Sequence, residues 1–290
     1  MSTIAVRKTT DPRVRFYRNT RTALTYAILI GFAFVFLIPF FWMLSTSFTE
    51  AGKVVMRNKP WIPNPIVWRN YAEALTVLPF HLFLKNTLII TISCIIGQTL
   101  SAALVAFGFS RMRFPGRDVL FIMVLSTMML PAQVTMIPTF VLFTYLRWID
   151  TLKPLIIPAF FGGGAFFIFL LRQFFMTIPR DLEDAAKIDG CSPIGVFWNV
   201  IVPLSKPALT TVAIFSFMHH WNDFMGPLIY TQSMENKTLA LGLNSFKGLH
   251  GTEYHLLMAA SVAVLLPVLV IFFAAQKYFV QGIVLSGMKY

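Results

Sequence analysis

Six stretches of this chain are apolar for long enough to cross a bilayer, and almost nothing charged interrupts them. They cover about residues 23–48, 86–110, 119–146, 154–176, 207–230 and 256–281. Each reaches the ~20 residues that a helix needs to span hydrocarbon. The first three contain no Asp, Glu, Lys or Arg, and the other three contain one each: Arg172, Asp223 and Lys277. Inside a bilayer every backbone polar group must be paired within the protein, so these runs are expected to be helices. The alternation that marks membrane strands is absent, which excludes a barrel. The sequence therefore predicts an all-α integral membrane protein with six transmembrane helices.

Composition agrees. Only 12% of the residues are charged, against about 25% in soluble domains. The net charge of +12 would suggest nucleic acid as partner for a soluble chain. In a membrane chain Lys and Arg instead mark the cytoplasmic side, so no nucleic-acid partner is expected. With the N-terminus inside, fifteen of the 24 Lys and Arg residues fall in inner segments. Five of the remainder lie in or beside the long 49–85 loop, and long loops weigh little in this rule. Both termini are thus expected in the cytoplasm. The organisation reads as a basic tail at 1–22, a six-helix domain at 23–281 and a short tail at 282–290. The tail at 1–22 holds six basic residues, which set topology and can also touch anionic lipid. The run after it is too long for a signal-peptide core and is expected to remain as the first span.

Prolines 39, 131, 138, 158, 227 and 267 lie inside the runs and predict kinked spans, because neighbouring helices can rescue the freed carbonyls. Gly162, Gly163 and Gly164 read as a surface for close helix packing. In the loop before the second run, residues 68–75 read as a short helix along the membrane surface. Cys94 and Cys191 cannot build a disulfide framework.

The inner segment 177–206 carries the strongest pattern. Pro179 suits a first helical turn, and Asp181, Glu183 and Asp184 favour its positive end. Gly190 is placed to end that helix in a left-handed cap. Ser192 then caps a second helix with Pro193 at its first position. Ala185 and Ala186 leave a smooth face over which another protein's groove can close. Two short helices at a turn, standing out from a bundle, form a lever on the fourth and fifth spans.

Asp184-Ala185-Ala186, three residues, Gly190, nine residues and Val200-Ile201-Val202-Pro203 resemble the EAA loop of ABC importer permeases. Further stretches resemble the smaller, six-span permease of carbohydrate importers of the maltose and glycerol-3-phosphate type. These are Trp68–Tyr71, Asn86–Leu88, Trp221–Phe224, Leu239–Leu243 and Gln276–Gly282. The resemblance implies a type I ABC importer permease fold in the bacterial inner membrane. It also implies a second permease, two ATPase subunits and an extracytoplasmic solute-binding protein as partners. The cargo implied is a sugar or sugar-like solute, with glycerol-3-phosphate, another polyol, a peptide or an amino acid as the alternative. Glu183, Asp184, Ala185, Ala186, Asp189, Gly190 and Pro203 would couple the chain to the ATPase. There the pattern has Glu where this chain has Asp184, and Ile and Leu where it has Val200 and Val202.

Polar groups inside the runs are the candidates for the solute path. Asp223, with Asn222 beside it, is the only acidic residue in a predicted span, and charges in lipid usually face an interior or a cavity. Lining the path and bonding helix to helix are both open for this pair. Gln98 and Gln133 can offer neutral hydrogen bonds to sugar hydroxyls or to another helix. Ser101 and Thr135 read as packing groups. His219 and His220 are adjacent and make a poor metal pair, so no metal site is expected. The chain has no G-x-x-x-x-G-K-[ST] phosphate loop and no esterase or zinc-protease motif. It is not expected to be an enzyme or to hold a cofactor; ATP and Mg would sit on the partner ATPase subunits.

Overall fold

A computed structural model describes residues 12–56, 59–248 and 251–287. Side chains at 12–15, 18, 275 and 277–287 fall outside the described set, as do residues 1–11, 57–58, 249–250 and 288–290. The basic side chains Arg7 and Lys8, and the resembling side chains at 277–282, therefore lie outside the described residues.

The chain is helical almost throughout. α1 (Pro12–Ser47) leads into α2 (Arg69–Thr76) and α3 (Phe80–Arg111). α4 (Arg117–Ser126) and α5 (Ala132–Tyr145) follow. Then come the short α6 (Lys153–Ile156) and α7 (Ala165–Thr177). The segment predicted as a lever supplies α8 (Asp181–Ile188), α9 (Pro193–Val196), a π-helical turn (Phe197–Ile201) and α10 (Val202–Leu204). α11 (Lys206–Trp221), α12 (Met225–Tyr230), α13 (Leu239–Asn244) and α14 (Tyr254–Gly287) complete the chain. One small departure from an all-α fold is a two-residue antiparallel ladder, β1 (Lys247–Gly248) with β2 (Gly251–Thr252).

Four segments are long and apolar enough to span a bilayer: Asn19–Ser47, Phe80–Arg111, Lys153–Thr177 and Tyr254–Ala274. Two further pairs meet the same test only when joined across a sharp bend, so the described residues hold up to six spans. The third predicted run, expected as one kinked span, turns by 98° between Met129 and Ala132. Pro131 lies in that break with extended backbone (ψ 137°), where its missing N–H cannot continue the preceding helix. The fifth run, expected to be helical over 207–230, stops at Trp221 and resumes at Met225. The glycine triplet also differs from expectation. Gly162, Gly163 and Gly164 all have positive φ (87°, 66° and 93°) and interrupt the fourth run before α7. The close approach is real at Gly163, where a Cβ would lie 2.5 Å from the Gln98 carbonyl oxygen.

α3 is the centre of the bundle, with α7 and α11 packed along it. Ala102, Ala103 and Ala106 of α3 are buried against Ile168, Leu171 and Phe175 of α7 and Val212 of α11. Lipid tails are as apolar as leucine, so no hydrophobic force joins helices in a membrane. Small residues that let backbones pack closely do that work instead. α1 lies against α14. Between Asn19 and Leu44 no residue of α1 is buried, whereas Ser45, Thr46 and Ser47 at its end are.

The end of the bundle opposite Arg111 is closed by hydrogen bonds to loops. Asn70 Nδ2 donates to the carbonyls of Ser47 and Thr49, 2.9 Å each, and the Tyr71 hydroxyl lies 2.8 Å from Ser47 Oγ. Asn86 Nδ2 donates to the carbonyls of Glu235 (2.6 Å) and Lys237 (2.9 Å), and Leu239 N donates to Thr87 Oγ1 (2.9 Å). Asp150 Oδ1 accepts from the backbone N–H groups of Gln232 and Ser233 and from Ser233 Oγ, 2.9 Å each. These bonds give the stretches at 68–71 and 86–88 a structural role.

Candidate functional site

The segment after α7 folds as the helix–turn–helix that its punctuation dictates. α8 carries Asp181, Glu183 and Asp184 in its first turn, next to the unpaired N–H groups of a helix start. It ends at Gly190 (φ 85°), where Cys191 N donates back to the Ala186 carbonyl (2.9 Å), a left-handed C-cap. Ser192 Oγ accepts from Gly195 N (3.2 Å) and starts α9 with Pro193. Pro203 lies in α10, and the hairpin then meets α11 at an 80° bend. Ser205 fills that corner with no exposed surface.

The hairpin has two sides. One packs on the core formed by α3, α7 and α11: Val196, Phe197 and Ile201 are buried there, with Ala186 partly so. The other is exposed and carries large apolar groups: Leu182 (45%), Ile188 (87%) and Ile194 (69%). Asp184, Ala185, Asp189, Gly190 and Pro203 are exposed as well. The Asp184 carboxylate, at the position of the resembling motif's Glu, meets Lys187 Nζ at 3.0 Å within its own helix.

Glu183 is placed differently from the other predicted coupling residues. It turns inward, and its Oε1 lies 2.7 Å from Arg111 Nη1, with side-chain exposures of 7% and 3%. Arg111 ends α3. Its Nη2 also donates to the carbonyls of Phe175 and of Ile178, the latter at 2.8 Å. Arg111 was seen in the sequence only as a topology signal. Nothing in the spacing singles out which of three acids in one helical turn will face inward.

This end of the molecule is strongly basic. An open cavity of about 590 Å³ beside the hairpin is lined by Arg113, Arg117 and Arg180, with Asp118 among them. Asp118 is paired with Arg117 (2.9 Å). Arg172 lies over the Phe121 ring, 4.1 Å from its centroid.

The four polar groups assigned to the path do not form one cluster. Gln98 Oε1, on α3, accepts from Ser216 Oγ of α11 (2.6 Å) and lies 3.2 Å from His220 Nε2, so it bonds helix to helix. Asp223 sits in the break after α11, where its Oδ1 accepts from Gly226 N (3.0 Å) at the start of α12. Asn222 Nδ2 donates to the Met218 carbonyl (2.8 Å). Gln133 is exposed on α5. Ser101 bonds across to the Ala159 carbonyl (3.1 Å), and Thr135 to its own helix. The rings of His219 and His220 meet edge to face at 4.9 Å.

The fold is thus a bent helical bundle with a capped hairpin at its basic end. Residues 98–285 match the family described as binding-protein-dependent transport system inner membrane component. The arabinooligosaccharides transport system permease protein AraQ of Bacillus subtilis is 33% identical over 93% of this chain and 96% of its own length. The diacetylchitobiose uptake system permease protein DasC of Streptomyces coelicolor is 29% identical over 91% and 95%. A chain in the crystal structure of a bacterial ABC transporter that imports the acidic polysaccharide alginate shares the fold. It matches with a TM-score of 0.80 at 24% identity, over 94% of this chain and all of that one. This chain belongs to the family of binding-protein-dependent transport system inner membrane components. It is a permease subunit and not itself an enzyme.

Proposed function

We propose that this chain forms half of the translocation path of an ATP-driven importer in the bacterial inner membrane, with a carbohydrate or sugar-like solute as cargo. Its partners are a second permease, two ATPase subunits that carry ATP and Mg, and an extracytoplasmic solute-binding protein. The observation that carries the coupling reading is the exposed apolar tip of the hairpin. Leu182, Ile188 and Ile194 stand on a rigid capped turn at the arginine-rich end, the end that the distribution of Lys and Arg assigns to the cytoplasm. Apolar patches exposed to water mark interaction sites. Asp184, Ala185, Ala186, Asp189, Gly190 and Pro203 frame this surface, and the ATPase docks there. The saccharide cargoes named for AraQ, DasC and the alginate transporter support the choice of solute.

The mechanism is alternating access. ATP-driven closure of the partners pushes the hairpin, and the 80° corner at Ser205 passes that push to α11. Nucleotide acts only through its different affinity for the two states. Gln98, Gln133, Asn222 and Asp223 are assigned to the solute path. The first two offer neutral hydrogen bonds to hydroxyls, and the last two sit at a break where a helix exposes its backbone.

The test is co-purification of the ATPase with the tagged chain and the partner permease, in lipid. Ile188→Asp with Ile194→Asp is expected to release the ATPase and abolish stimulation of hydrolysis by solute-loaded binding protein. Normal assembly and stimulation of this variant would overturn the reading. The solute that stimulates the wild type names the cargo.

A further inference from the structure

The hairpin is joined to the bundle along the chain at each end, through α7 and through the corner at Ser205. It is joined a third time, across the fold, by Arg111 and Glu183. That third joint has unusual properties. The ion pair measures 2.7 Å with both side chains all but dry. The same guanidinium also donates to the carbonyls of Phe175 and Ile178 where α7 ends. One side chain thus ties α3, α7 and α8 together. Such a joint resists shear, because separating a buried pair leaves an uncompensated charge in an apolar setting. A displaced hairpin therefore carries Arg111 with it.

Arg111 is the last residue of α3, a 32-residue helix at the centre of the bundle. α3 runs as one continuous helix over 32 residues, whereas the 129–132 and 205 corners turn by 98° and 80°. At its far end Asn86 and Thr87 hold the 235–239 segment through three hydrogen bonds. Asn86 and Arg111 are separated by ~37 Å along the helix axis at ~1.5 Å per residue, a full membrane thickness.

We propose that Arg111 is a positioning residue. Through its clamp on Glu183 it makes α3 a rigid strut that carries hairpin movement across the membrane to the 235–239 loop at the outer rim. The proposal rests on the coupling role given to the hairpin above, and adds that the route to the outer face runs through α3.

The test uses the assembled transporter in liposomes, with Glu235→Cys as a reporter. The Glu235 side chain is exposed, and only its backbone carbonyl bonds Asn86. Its labelling by a membrane-impermeant maleimide is measured without nucleotide and with ATP plus vanadate. The reporter in otherwise wild-type protein is expected to change rate about tenfold, equivalent to ~1.4 kcal/mol of coupling. Glu183→Gln is expected to keep the ATPase bound and to reduce that change to about twofold or less, with Arg111→Lys in between. Where Glu183→Gln fails to accumulate, Arg111→Met with Glu183→Met leaves no buried charge unpaired and is expected to give the same loss. A full nucleotide-dependent change in the variant that accumulates overturns the strut. So does a reporter that never responds in the wild type. If Ile188→Asp with Ile194→Asp leaves the ATPase bound, the coupling reading itself has failed. If that variant releases the ATPase while Glu183→Gln keeps the full change, only the strut has failed.

Discussion

At the scale of single residues, Leu182 and Glu183 occupy each other's expected places. The leucine is exposed at 45% and the glutamate buried, because the guanidinium of Arg111 waits inside. Hydropathy cannot reveal such an exchange, since it depends on a residue in another helix. Asp150 shows a more local logic. The backbone N–H groups of Gln232 and Ser233 hold its carboxyl at about 2, below the usual 3.8. Its contribution is therefore complete above pH 3.8 and is lost as the pH falls through about 2. Asp150→Ala is expected to cost about 1 kcal/mol near neutral pH by leaving those donors without an acceptor. Thermal unfolding in detergent should show a lower midpoint at pH 7 and a shrinking gap to wild type below pH 3.8. A gap that stays constant across that range would deny the carboxylate this role.

At the scale of elements, the caps were legible and the breaks were not. Ser192-Pro193 and Gly190 announce the hairpin because a side-chain acceptor, a missing donor and a tolerated left-handed turn each have one local reading. The acidic first turn of α8 is legible for the same reason. The bends at Pro131 and after Trp221 are different. Proline in a membrane helix is compatible with a mild kink or a sharp turn, and only the packing of neighbours decides. Gly162–Gly164 were readable as a place of close approach but not as a helix break, since a glycine run serves either purpose. Gly163→Ala is expected to be destabilising by about 1–3 kcal/mol through overpacking, because its Cβ would meet Gln98 and Ala102 backbone at a positive φ. Gly162→Ala, with open space around it, is expected to pay only the backbone strain. Comparing the thermal midpoints of the two purified variants checks this; equal losses would show that contact with α3 is unimportant.

At the scale of the whole molecule, the apolar runs disclosed a membrane bundle at once, and the 184–203 pattern disclosed its family. What stayed hidden was how the polar candidates group. Gln98, Gln133, Asn222 and Asp223 looked alike as uncommon polar residues in apolar runs, yet the fold gives them separate surroundings. α1 shows the opposite case, a helix whose lipid-like face needs no specific neighbour within the chain. Phe36, exposed at 77%, should tolerate Leu. Phe36→Arg is expected to cost about 2.5–3.5 kcal/mol on insertion scales and to reduce the protein recovered in the membrane fraction. Equal recovery of both variants would place this position outside the bilayer.

The Arg111–Glu183 pair also has a consequence for synthesis. Glu183 follows Arg111 by 72 residues, so at ~5–20 residues per second the ribosome needs ~4–14 s to supply the partner. During that interval α3 exists with an unpaired guanidinium at its end, which water can solvate and hydrocarbon cannot. The pairing of α3 is thus completed only once α8, five helical elements further along the chain, has been made.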